Sequence, residues 1–152
     1  MAITKIHAIR STIQKSVDYI ANPHKTDNRI LLTTHGCGLE SAEFDFSNDN
    51  AKAVEMKNPI PAFHLIQSFA PGEITFEEAH QIGKNLADEI LGPSRAYVLA
   101  THIDKEHVHN HVIFCSTDFL TRKRYHDNKT SYKRILSDEL TSKTKYAEGI
   151  CR

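Results

Sequence analysis

Four of the ten histidines, His102, His107, His109 and His111, lie within the segment Thr101-His-Ile-Asp-Lys-Glu-His-Val-His-Asn-His-Val-Ile-Phe114. If two strands pair across a tight loop centred on Lys105-Glu106, Asp104 faces His107 and His102 faces His109. Directly opposed residues point to one face, with Cβ atoms about 4.5–5.5 Å apart. His111, two residues beyond His109, shares that face. Three imidazoles then converge from two neighbouring strands. Such a set suits Mn, Fe, Ni, Cu or Zn and leaves positions open for substrate or water. Asp104 is placed to accept a hydrogen bond that fixes a histidine tautomer. The adjacent letters His109-Asn110-His111 differ from the dispersed pattern of the HNH nucleases.

Tyr19 is a second chemical candidate. On a helix it lies two positions past Val17, about 200° around from the apolar stripe of Ile13, Val17 and Ile20, so the core does not require it. A phenol with a pKa of about 10 is a poor nucleophile and needs a base or a metal beside it. A third feature is charge. Residues 121–134 carry Arg122, Lys123, Arg124, Lys129, Lys133 and Arg134 against Asp127 alone, a net of +5 that the remaining 138 residues balance, since the chain is neutral overall. Tyr125 and Tyr132 interleave with these cations, a pattern that suits single-stranded nucleic acid.

The elements that position these groups are legible from periodicity. Residues 2–10 read as a strand with Ile3, Ile6 and Ile9 inward. Ser11 caps a helix to Ile20, ended by Asn22-Pro23. Residues 29–35, 62–69, 95–103 and 108–116 read as strands. Residues 40–57 read as an acidic helix broken near Ser47-Asn48. Thr75 and Glu78 form a capping box that opens a helix with the stripe Ala79, Ile82, Leu86 and Ile90, stopped by Gly92-Pro93. A short helix is expected over 131–140. Hairpins mixed with helical crossovers predict an α+β domain: a central, mostly antiparallel sheet with helices packed on its faces.

Length and composition set bounds. A chain of 152 residues with 39% hydrophobic and 25% charged residues is one globular domain. Zero net charge excludes a uniformly basic nucleic-acid binder. No apolar run approaches the ~20 residues of a membrane helix, so no membrane insertion is expected, and no signal peptide is read at the start. Three scattered cysteines make no disulfide framework and fit a reducing cytoplasm.

The run His102-x-Asp104-x-x-x-x-His109-x-His111 followed by an apolar strand resembles the third motif of the MobA-like relaxase/mobilisation nucleases, P-type class, within the HUH endonucleases. Tyr19-Ile-Ala-Asn-Pro-His-Lys-Thr resembles the family's first motif, Phe63-His-Leu-Ile-Gln-Ser-Phe with Pro-Gly-Glu its second. Tyr125-His-Asp-Asn-Lys129 with Ser131-Tyr132 resembles the stretch after the third motif. The resemblance covers roughly residues 5–140. It implies a bacterial cytoplasmic relaxase that nicks one strand of origin-of-transfer DNA and starts conjugative transfer of a plasmid or transposon. Tyr19 is the implied nucleophile, giving a 5′-phosphotyrosyl adduct, with Asp104 as a catalytic partner. His102, His109 and His111 are the implied ligands of a divalent ion, Mn or Mg in use and Zn or Ni in crystals.

The expected DNA contacts are Lys25, Ser68, His107, Arg122, Lys123, Arg124, Lys129, Lys133 and Arg134. Thr26 is expected beside Lys25 on phosphate, and His64, which shares a strand face with Ser68, divides evenly between core and site. Accessory DNA-binding and conjugation proteins are the implied partners. Two departures stand out. Cys115 replaces the usual Asn four residues past the last histidine, and the ending Thr-Lys-Tyr-Ala-Glu-Gly-Ile-Cys-Arg does not match the family's continuation. Residues 1–152 are therefore expected to be one nuclease domain, truncated at its C-terminus or naturally short. Two other readings compete: a DNA-binding module without nicking, and a metallohydrolase in which metal-bound water replaces Tyr19.

Overall fold

A computed structural model of the chain describes residues 3–54, 57 and 59–126. The expected helix over 131–140, with Lys129, Lys133 and Arg134, lies outside the described residues. Five strands form one sheet: β1 (Ile3–Ile9), β2 (Leu32–His35), β3 (Ala62–Ser68), β4 (Tyr97–His102) and β5 (His109–Cys115). Their spatial order is β1-β3-β5-β4-β2, and every neighbouring pair is antiparallel. Helices α1 (Ile13–Ile20) and α2 (Ala42–Ala51) cover one face, and α3 (Phe76–Leu91) covers the other. The fold is α+β, as the alternation of hairpins and crossovers predicts.

Strand alternation divides the core in two. Val98, Ala100, Ile113 and Ala62 meet Ile13, Val17, Ile20 and Phe46 on the α1/α2 side. Leu99, Tyr97, Val112, Phe114, Phe63 and Leu65 meet Leu86, Ala87 and Leu91 on the α3 side. The central strand β4 is buried along its whole length. The edge strand β1 is largely open, and this corrects one expectation. Ile3, Ile6 and Ile9 cannot all point inward, because a strand alternates with period two. Ile3 is 62% exposed, while Ile6 and Ile9 pack on opposite faces.

Helix starts show similar local competition. The capping box at Thr75 forms as expected, with Thr75 Oγ1 accepting from Glu78 N at 3.2 Å. Ser11 does not cap α1. Thr12 takes the N-cap position in a left-handed conformation, and Gln14 N donates to Glu43 Oε2 of α2 at 3.0 Å, so the neighbouring helix satisfies an orphan amide. Helix α2 runs through Ser47-Asn48 without a break. Ala42 and Phe46, one turn apart, are fully buried and hold it in place. Strand β2 starts only at Leu32, because Asp27, Asn28 and Arg29 all have positive φ and form a left-handed turn instead.

Candidate active site

The β4–β5 ladder ends at His102↔His109, with Ala100 opposite His111. The expected register is therefore present, but Asp104 and His107 lie in the connecting loop and do not form a strand pair. On the other side of β5, Ser68 faces His109 and Ile66 faces His111. Opposed residues share a face, so His102, His109, His111, Ser68, Ile66 and His64 all point to the α1 side. Helix α1 ends here. Its last turn brings Tyr19, 59% exposed, to 6.3 Å between ring centroids from His102 in an edge-to-face arrangement.

These side chains surround one cavity of about 340 Å³, lined by Tyr19, Lys25, Ser68, His102, Asp104, His109 and His111 together with Lys5, His7, Ile66 and Lys105. Seven residues expected from sequence thus meet, although Tyr19 and the histidine segment are more than 80 positions apart. Lys25 ties the groups together. Its Nζ lies 3.2 Å from Asp104 Oδ2 and 5.0 Å from the centre of the Tyr19 ring. The Asp104 hydrogen bond raises the Lys25 ammonium pKa, so Lys25 stays charged. Desolvation pushes the Asp104 carboxyl up, but the hydrogen bond and charge of Lys25 outweigh it and hold the group below its usual range.

The expected tautomer-fixing role of Asp104 falls to other groups. His102 Nε2 donates to the carbonyl of Ile20 at 2.8 Å, which fixes the ring and leaves Nδ1 as its lone-pair nitrogen. His111 Nδ1 shares a hydrogen bond of 2.9 Å with His64 Nε2, which leaves His111 Nε2 for a ligand. His64 therefore belongs to the site. Burial, reinforced by neighbouring imidazoles, pushes His111 down to about 2 and His64 down to about 4. Burial also lowers His102 and His109. All four rings are neutral at physiological pH, the form that ligates a metal.

The donor set fits a divalent ion in chemistry, because three neutral imidazoles line one cavity. The ring centroids of His111 lie 4.1 Å from His102 and 6.3 Å from His109. Among the described residues, however, no three His, Cys, Asp or Glu side chains stand in ligating geometry. Ligation by all three would therefore require these rings to shift from the positions in which Ile20 O and His64 hold them.

Behind the cavity, on the α3 face, lies a buried hydrogen-bonded row that the sequence reading did not identify. Thr33 Oγ1 meets His80 Nε2 at 2.8 Å, and His80 Nδ1 meets Thr101 Oγ1 at 2.8 Å. Thr101 Oγ1 donates to Asn110 Oδ1 at 2.6 Å. Asn110 Nδ2 donates to Gln67 Oε1 at 3.0 Å and to the carbonyl of Ala79 at 2.7 Å. Because the Thr101 proton goes to Asn110, His80 Nδ1 must carry the proton given to Thr101, and Nε2 accepts from Thr33. Three of the four strand members adjoin a site residue: Gln67 precedes Ser68, Thr101 precedes His102, and Asn110 separates His109 from His111. The available signal was the run of consecutive polar residues, Thr101-His102 and His109-Asn110-His111, at the paired ends of two otherwise apolar strands.

The remaining expected residues lie elsewhere. His107 Nδ1 is 3.3 Å from the carbonyl of Phe69, outside the cavity lining. Thr26 is fully buried and spends its hydroxyl on Asn22 O and Arg29 N, so it is not a phosphate contact. Arg122, Lys123 and Arg124 follow the far end of β5, roughly 20 Å from His109 at about 3.3 Å per residue. Arg122 and Lys123 are exposed, whereas Arg124 is half-buried with Nη2 on Asn50 O. Tyr125 is not an open stacking platform. Its ring packs edge-on against Phe63 and Phe114 at 5.1 Å. Tyr97 is buried with its hydroxyl on Asp88. Cys115 is also buried, in the α1/α2-side core with Sγ near Asn50, and burial pushes its thiol up to about 12.

The sequence profile of the MobA/VirD2-like relaxase nuclease domain matches residues 19–146, so the chain belongs to that family. Among curated proteins it is similar to the group II intron-interrupted relaxase LtrB of Lactococcus lactis, with 33% identity over 70% of this chain and 23% of that protein. It is equally similar to the protein rlx of Staphylococcus aureus, with 33% identity over 85% of this chain and 38% of that one. The chain thus spans less than half the length of these relatives. Among the described residues, no helix is long and apolar enough to cross a membrane.

Proposed function

We propose that this chain is the nicking domain of a relaxase, and that Tyr19 attacks a DNA phosphodiester at an origin of transfer. The observation that carries the reading is the position of Tyr19. It is the exposed tyrosine among those described, and it shares a cavity with three neutral histidines and a lysine–aspartate pair. The tyrosine oxygen forms a bond to phosphorus, the bond from phosphorus to the 3′-oxygen breaks, and that oxygen takes a proton from solvent. The products are a 5′-phosphotyrosyl ester and a free 3′-OH, and the retained ester energy allows later rejoining of the strand.

Each neighbour of Tyr19 has a part in this scheme. The exposed phenol gives its proton to water as it attacks, and the Lys25 ammonium 5.0 Å from the ring centre places positive charge beside the incoming phosphate. Asp104 keeps Lys25 in place. Ser68, on the cavity wall, donates to phosphate oxygen. His102, His109 and His111 would hold a divalent cation, which would supply positive charge for the phosphate oxygens when bound. Ile20 O and His64 hold two of these rings in defined tautomers. Arg122 and Lys123, at the far end of the sheet, contact DNA beyond the nucleotides at the nick. Conjugative transfer and accessory partners belong to the same reading.

The test is incubation with Mn²⁺ and origin-sequence oligonucleotides, followed by a denaturing gel. A covalent protein–DNA band that maps to Tyr19 supports the reading. Cleavage without an adduct supports water attack instead.

A further inference from the structure

Tyr19 walls two cavities. Besides the histidine cavity, a second one of about 390 Å³ is lined by Thr12, Lys15, Ser16, Tyr19 and His64. On α1, Thr12, Ser16 and Tyr19 recur at helical spacing with Lys15 beside Ser16, so one helical face overhangs the sheet. Below it lies the open β1–β3 edge, where His7 is paired with His64. The floor is exposed because Lys5 and His7 of β1 lie uncovered, whereas Ile9 at the end of that strand packs against the α1/α2-side core. His64 joins the two cavities, since it lines the second one and bonds His111 in the first.

We infer that this second cavity is a binding subsite for the DNA strand on one side of the scissile phosphate. The inference rests on the relaxase reading of Tyr19. A phosphate attacked by a wall residue belongs to a strand that leaves in two directions. One direction enters the histidine cavity, and the other has the second cavity open to it. Its lining suits a sugar–phosphate chain: the Lys15 ammonium, the hydroxyls of Ser16 and Thr12, and no carboxylate among the described lining residues. The Tyr19 ring between the cavities offers a stacking face at the point where the strand turns. Seven residues of α1, about 10 Å, separate Thr12 from Tyr19, so the subsite holds only a short stretch of DNA.

Binding of a labelled oligothymidylate to the full chain, measured by anisotropy at several salt concentrations, tests this. Lys15→Gln is expected to lower the slope of log K against log salt by about 0.7, the loss of one phosphate contact in single-stranded DNA. Ser16→Leu fills the cavity without changing charge and is expected to weaken binding about tenfold at constant slope. Lys84→Gln, on α3 at the opposite face, is the control and keeps the parent slope. Circular dichroism melts confirm that each variant is folded, and Ser16→Val serves if Ser16→Leu is not. Parent-like affinity in the cavity-filling variant overturns the subsite whatever Lys15→Gln does. If the parent chain itself fails to bind at low salt, the relaxase reading falls as well, which separates the two failures.

Discussion

The two faces of β5 are built on opposite principles within three residues. His109 and His111 point into an open cavity, and their ring nitrogens are only partly engaged by protein. Asn110, between them, points the other way, is fully buried, and uses its amide on Thr101, Gln67 and Ala79 O. One face can take up a ligand because its polar groups are unfinished. The other uses nearly all of its polar groups, Gln67 Nε2 excepted, to hold four strands and α3 in register. A site whose geometry must change when an ion or phosphate arrives is thus mounted on a layer that is fixed before anything binds.

The largest effects are expected on the cavity face and should leave the fold intact. Tyr19→Phe removes one exposed oxygen and keeps the ring. Adduct formation and cleavage should both vanish, while DNA binding and melting temperature stay at parental values. Replacing His109 or His111 by Ala should abolish divalent-ion binding by calorimetry and also nicking. Unchanged affinity in both variants would remove the three-histidine site. Lys25→Gln removes the ammonium that sits beside the Tyr19 ring and pairs with Asp104, and should slow adduct formation without abolishing it.

On the buried face the expected effects are on stability. Asn110→Ala leaves Gln67 Oε1, Ala79 O and Thr101 Oγ1 without their partner, at a cost of about 3 kcal/mol and a melting-temperature loss of roughly 10 °C. Gly83→Ala probes the same contact from the helix. Its Cβ would stand 2.6 Å from Asn110 Nδ2 and 3.1 Å from Leu99 Cδ1. The clash outweighs the better helix propensity of alanine, and a net loss of about 1 kcal/mol is expected. A Gly83→Ala protein as stable as the parent would show that α3 does not need this close approach.

Much of the cavity face was legible in the sequence, because period two and a single hairpin fix which residues share a face. The pairing of His102 with His109, and the company of His111, follow from strand register alone, whereas Ser68 was placed there by the family resemblance and not by periodicity. The role of Asp104 was not legible in this way. Its partner Lys25 comes from the irregular segment between α1 and the left-handed residues Asp27, Asn28 and Arg29, and no periodicity encodes that contact. The Asn110 row was missed for a related reason. A polar residue in a central strand reads as a site candidate or as an error until the helix above it is known, and His80 is 21 positions from Thr101. The basic stretch misled differently. Charge counting detects cations but not that Arg124 and Tyr125 pack back onto Asn50, Phe63 and Phe114.

The smallest expected effect separates the faces by titration. Amides and hydroxyls do not change charge with pH, so acid sensitivity within this region belongs to its imidazoles. Burial lowers His64 to about 4 and His111 to about 2, and it also lowers His80 behind the sheet. In the unfolded chain each histidine titrates near 6.5. Between pH 6.5 and pH 4 the unfolded state therefore binds more protons than the folded state, and stability falls as pH falls through that window. Carboxylates such as Asp104 and Asp118 are held below their usual range and add their own loss only at lower pH. His64→Gln keeps a polar group beside His111 Nδ1 but cannot take a proton. Its melting temperature should decline less between pH 6.5 and pH 4 than that of the parent. A decline as steep as the parent's would place the acid sensitivity on His80 and the buried face instead.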